Sequence, residues 1–183
     1  MVLSEETVAR IELAGKLKQR LVKYFHSKER RFIPLILKNY SKKNGSESED
    51  EKINAYDWFI HCYRFKDGNY FIDRFIKGHQ DLSEEEIAIL EKWKDCSGGI
   101  FEIKAVNEDI ACLINLVDGR EYHCTSNLGK KNRVMLRPGF FILTRLVPLD
   151  DIYLFSGLPA VFPPQARFHV QEMAKDMGQG LIS

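Results

Sequence analysis

From Ser4 onward, apolar residues return every three or four positions: Ile11, Ala14, Leu17, Leu21 and Phe25. That spacing predicts a helix with one apolar stripe, and it groups Lys16, Arg20 and Lys23 on roughly the opposite face. Ser4 followed by Glu5 and Glu6 gives the helix a start, a hydroxyl cap with two acids at the positive end of the dipole. A second helix is predicted over about Lys28 to Tyr40, begun or kinked by Pro34. Asn44 to Glu51 then contains no hydrophobic residue and reads as a mobile linker.

Beyond Ile53 the pattern turns aromatic, with Tyr56, Trp58, Phe59, Tyr63 and Phe65 closely spaced until Asp67-Gly68 breaks the run. Phe71, Ile72, Phe75 and Ile76 recur at one-turn spacing, ending at Gly78 as a helix-terminating glycine. Ser83 with Glu86 has the form of a capping box, and Ile87, Leu90 and Trp93 carry that helix to Gly98-Gly99. After Gly99 the period falls to two. Phe101, Ile103 and Ala105 alternate with Glu102 and Lys104, as in a half-exposed strand.

Asp109 to Val117 reads as a second strand, joined through the hairpin signal Asp118-Gly119 to a third, Arg120 to Thr125. The stretch Arg133 to Val147 organises this half of the chain. Arg137-Pro138-Gly139 is a turn, and Phe140 to Val147 is apolar enough for a strand buried on both faces. A last strand, Ile152 to Ser156, follows Asp150-Asp151. Pro163-Pro164 introduces a helix, about Gln165 to Met177, whose Phe168, Val170 and Met173 are expected to cap the strands.

These elements give an α+β expectation: N-terminal helices, a helical hairpin, a small five-stranded barrel of SH3-like or OB-like type, and a C-terminal helix. The expected division is a basic helical arm at 1–43, an acidic linker at 44–52, the hairpin at 53–97, the barrel at 98–162 and the final helix and tail at 163–183.

Composition narrows the function classes only a little. With 183 residues, 44% hydrophobic and a formal charge of +1, the chain has no global pull toward nucleic acid or an anionic surface. The arm is the local exception, with eleven bases against four acids up to Lys43. No apolar run reaches a membrane span, and nothing at the start reads as an export signal, so a cytoplasmic protein is expected. Cys62, Cys96, Cys112 and Cys124 show no paired spacing and read as reduced, buried thiols.

Asp57-Trp58-Phe59, Tyr63-Arg64-Phe65, Asp67-Gly68, Asp73-Arg74-Phe75, Leu82-Ser83, the Leu90 to Trp93 helix and Leu136-Arg137-Pro138-Gly139 occur in that order. Together they resemble an uncharacterised family of bacterial cytoplasmic proteins, over about Ala55 to Pro163. Some members of that family resemble proteins with a zinc-binding tail like that of the SecA translocase. This chain has no Cys-x-Cys followed by Cys-His, so neither the zinc nor any partner implied by it carries over.

The adjacent pairs His61-Cys62 and His123-Cys124 supply ligand types for zinc. Neighbours on a strand point to opposite faces, however, so a satisfied histidine beside a buried cysteine is the reading taken, with no metal and no cofactor. Asp57 and His61, one helical turn apart, have the spacing of an acid–base couple and equally of an ordinary helix contact. No catalytic residue is assigned. Lys130, Lys131, Arg133 and Arg137 form the best local anion site, with Lys16, Arg20 and Lys23 of the arm as a second. Tyr122 and Phe140 are taken as core residues rather than stacking platforms. Trp58, Phe59 and Tyr63, with Phe65, are the aromatic positions that could receive a partner peptide, although packing between the hairpin and the barrel is the use preferred for them.

The first functional expectation is a non-enzymatic binding or regulatory module with a protein partner. A nucleic-acid binder using the arm and the 130–137 loop is second. A hydrolytic or metal-dependent enzyme is third.

Overall fold

The computed structural model describes residues 3–44, 48–107, 109–125 and 136–179, with side chains for all of these except 39–44. The fold is α+β and divides into two compact units, Arg10–Cys96 and Ser97–Ser183 with Met1–Ala9.

The first unit is helical. Helix α1 (Glu5–Lys28) begins at the Ser4 cap, whose hydroxyl accepts from the Thr7 N–H at 3.1 Å. It buries the expected stripe of Ala14, Leu17, Leu21 and Phe25. A 3-10 turn (Arg30–Phe32) leads to α2 (Ile33–Asn44), which places Pro34 in its first turn, where a missing N–H costs nothing. Residues 45–47 of the expected linker lie outside the described residues.

The rest of that linker is not loop. Ser48 caps helix α3 (Glu49–Cys62) in a reciprocal box with Glu51, and the acids read as linker form its first turn. Composition alone could not separate an acidic linker from an acidic first turn.

Helices α4 (Phe71–Lys77) and α5 (Glu84–Lys92) follow, then a 3-10 turn at Trp93–Asp95. Ser83 and Glu86 form the capping box that their spacing predicted. Gly78 ends α4 as its position predicted, but without a left-handed backbone. Its φ is −83°, and glycine fits there because a Cβ would press on the Arg74 carbonyl and the Tyr24 hydroxyl at 3.3–3.4 Å. The core of the unit is aromatic: Phe25, Phe59 and Phe71 meet pairwise with centroids 5.5–5.8 Å apart. The expected arm, residues 1–43, is therefore not a separate piece. Leu17, Leu21 and Phe25 are fully buried, within the same unit as Phe59 and Phe71.

The second unit is a closed barrel. Its strands are β1 (Ser97–Val106), β2 (Ala111–Asn115), β3 (Glu121–Thr125), β4 (Phe141–Leu149) and β5 (Ile152–Phe162). Their order is β1-β2-β3-β5-β4, and β1 closes on β4. All neighbours are antiparallel except β3 and β5, which run parallel through Cys124↔Tyr153. That parallel contact makes the barrel the OB-like of the two expected types.

β4 is flanked on both edges by β1 and β5 and is buried on both faces, as its apolar run predicted. Ile142 and Leu146 join Phe101, Ile103, Leu113, Tyr122 and Cys124 inside, whereas Phe141 packs with Ile100 beneath the last helix. That helix, α6 (Arg167–Gly178), is held by Val170, by partly buried Met173, and by Arg167, which donates to Glu102 at 3.1 Å. Phe168 departs from expectation: it does not cap the barrel but stands 76% exposed.

Candidate functional site

The hairpin of β2 and β3 turns at Gly119, whose φ of +72° is a conformation glycine reaches without strain. Its register sets Ala111 against Cys124 and Cys112 against His123. Strand alternation then sends Cys124 into the barrel core and His123 outward, as read from the sequence. The pairing across the ladder was not foreseen. Cys112, His123 and Glu121, two residues before His123 on the same face, place a thiol, an imidazole nitrogen and a carboxylate oxygen within 4.8 Å of one another.

His123 Nε2 lies 3.3 Å from Glu121 Oε1. Burial pushes the Cys112 thiol above its ordinary value, the hydrogen bond and charge of Glu121 push it further, and Lys104 pulls it back only in part. The cue available in the sequence was the Asp118-Gly119 turn. A short loop there fixes which residues face each other, and Cys112 opposite His123 follows once the strand ends are known.

His61 and Cys62 behave differently. His61 is fully buried in α3, and its Nε2 accepts from the Lys18 ammonium at 2.8 Å. The same ammonium donates to Asp57 Oδ1 at 2.6 Å. A lysine ammonium has only donors, so the Nε2 lone pair that a general base would use is already engaged. Asp57 and His61 are thus part of a packed ionic network rather than an accessible couple. Cys62 meets Cys96 with sulfurs 3.3 Å apart, although 34 residues separate them in the chain. Of the four thiols only Cys124 is buried, so the expectation of buried cysteines holds at that position alone.

The other positions singled out by sequence fall as follows. Lys130, Lys131 and Arg133 lie outside the described residues, and Arg137 is exposed in its turn. Lys16 and Lys23 are exposed, while Arg20 is held by Asp81 at 2.7 Å and Glu86 at 3.2 Å. Arg10 and Lys18 are similarly engaged by Glu85 and Asp57, so three cations of the arm are paired within its own unit. Phe59 is fully buried and offers nothing to a partner, because the aromatic run that contains it builds the core of the helical unit. Trp58 and Tyr63 are half-buried and meet edge to face at 5.9 Å. Tyr122 is in the barrel core, and Phe140 packs against that core as expected.

Among the described residues, no helix is long and apolar enough to cross a membrane. No curated protein and no solved structure matches the chain. Residues 12–180, nearly the whole sequence, match a family described as "Family of unknown function (DUF7986)", and the protein belongs to that family.

Proposed function

We propose that the protein is a non-enzymatic binding module that docks a polypeptide partner through the outer face of α6. The observation that carries this reading is Phe168, 76% exposed on a helix otherwise seated by Val170, Ala174 and the Arg167–Glu102 bond. A rigidly presented aromatic ring is the kind of side chain that anchors protein interfaces, because it buries much area and loses little entropy. The filled barrel interior and the engaged Asp57–His61 network support a surface role over an internal catalytic one.

The test places a photo-crosslinking phenylalanine analogue at position 168 of the full chain in its host. A defined polypeptide should be captured, and the purified pair should weaken at least about tenfold on Phe168→Ala. No cross-link, or an affinity unchanged by that substitution, overturns the reading. Capture of a second copy of this chain would instead make the face a self-association surface.

A nucleic-acid role draws on the OB-like barrel with Arg137 exposed beside the 126–135 segment. The same preparation, titrated with single-stranded oligonucleotide across a salt series, is expected to lose binding near physiological ionic strength. Tight binding retained there, and lost on joint Lys130→Ala and Lys131→Ala substitution, would make the nucleic-acid reading the better one.

A further inference from the structure

The Cys112–Glu121–His123 group on the barrel exterior belongs to neither role. We propose that these three side chains are the protein ligands of a zinc-class divalent cation, held on the outer face of the β2–β3 hairpin with its fourth coordination position open to solvent. The donor set selects the metal. Magnesium and calcium take oxygen ligands almost exclusively, whereas zinc accepts thiolate, imidazole and carboxylate together.

The spacing fits. A tetrahedral ion with bonds of about 2.0–2.3 Å holds its ligand atoms roughly 3.5 Å apart. Glu121 and His123 already stand at 3.3 Å, and all three donors lie within 4.8 Å. Side-chain rotation closes the remaining gap, since Glu121 and His123 are each about half exposed. The backbone needs no movement, because Cys112 and His123 are direct partners in an antiparallel ladder.

Charge balance also fits. A Cys112 thiolate and the Glu121 carboxylate together offset a doubly charged ion. Lys104 on β1 is the nearby cation, and its ammonium is engaged by Glu102 at 2.9 Å. Cys124, next to His123 on β3, points into the barrel core and takes no part in the site. Binding exchanges the Cys112 S–H bond for a sulfur–metal bond and releases the proton to solvent. Because binding displaces a thiol proton, affinity rises with pH.

The full chain, stripped with a chelator, is titrated with zinc against a chromophoric competitor and with cobalt(II) as a spectroscopic substitute. One equivalent is expected, with a thiolate-to-cobalt charge-transfer band. Cys112→Ser should abolish the band, and Cys112→Ser and His123→Gln should each weaken zinc by at least about tenfold, since even outer-sphere partners commonly contribute that much. Glu121→Gln should weaken zinc while leaving the band in place. The three side chains point outward, so circular dichroism of each metal-free variant should match the parent. Zinc bound no more tightly by the parent than by Cys112→Ser overturns the proposal. So does a band that survives Cys112→Ser and disappears in Cys62→Ser, which would assign the metal to the Cys62–Cys96 pair.

Discussion

Lys18 shows how a single side chain acquires two obligations. From α1 its ammonium bonds Asp57 at 2.6 Å and His61 at 2.8 Å, both nearly or fully buried on α3. Replacing Lys18 with methionine keeps the apolar stem and removes the charge, so a carboxylate that is only 4% exposed loses its cation. Removing one member of a buried ion pair costs about 3–5 kcal/mol. With Lys18 itself a quarter exposed, about 2–3 kcal/mol is the expected loss. Both tryptophans, Trp58 and Trp93, lie in the helical unit, so urea unfolding followed by their fluorescence reads this loss directly. An unfolding midpoint unchanged in Lys18→Met would mean that the ion pair adds nothing to stability.

At the scale of elements, the fastening of α6 to the barrel carries a pH signature. Burial pushes the Glu102 carboxyl up, but the hydrogen bonds and charges of Lys104 and Arg167 outweigh it and hold the group below its ordinary value. A carboxyl depressed by folding adds stability above its unfolded value, and that stability is lost as pH falls through the folded value. Protection of the α6 amides, measured against their intrinsic exchange rate at each pH, should therefore fall below about pH 4. Glu102→Gln, which cannot ionise, should exchange faster at neutral pH and show a flatter acid dependence. An unchanged acid dependence in that variant would assign the linkage to another carboxyl.

Elements were also where sequence reading succeeded and where it stopped. The Ser83–Glu86 box, the Asp118-Gly119 turn and the alternation of Phe101 and Ile103 were legible because each is set by residues within a few positions of one another. The parallel β3–β5 contact and the Cys112–His123 pairing join residues distant in sequence or dependent on register, and no local period encodes them. Phe168 was misplaced for a related reason. It is two residues from Val170, so on a helix the two cannot share the face that packs.

For the molecule as a whole, the question is where it can be cut. An acidic, apolar-free stretch at Asn44 to Glu51 suggested a boundary there, with a self-sufficient fragment beginning near Ile53. The structural boundary lies instead between Cys96 and Ser97, with α1 contributing Leu17, Leu21 and Phe25 to the interior of the Arg10–Cys96 unit. Burying three such side chains is worth roughly 5–9 kcal/mol at about 1.5–3 kcal/mol each. That is comparable to the roughly 5–15 kcal/mol that stabilises a whole domain, so a fragment without them has nothing left to fold with. The fragment Arg10–Cys96 should show helical circular dichroism and one cooperative tryptophan transition in urea. A fragment from Ile53 to Cys96 should show neither. Cooperative unfolding of the shorter fragment would mean that the rings of α3 and α4 suffice alone, and that α1 is an appendage after all.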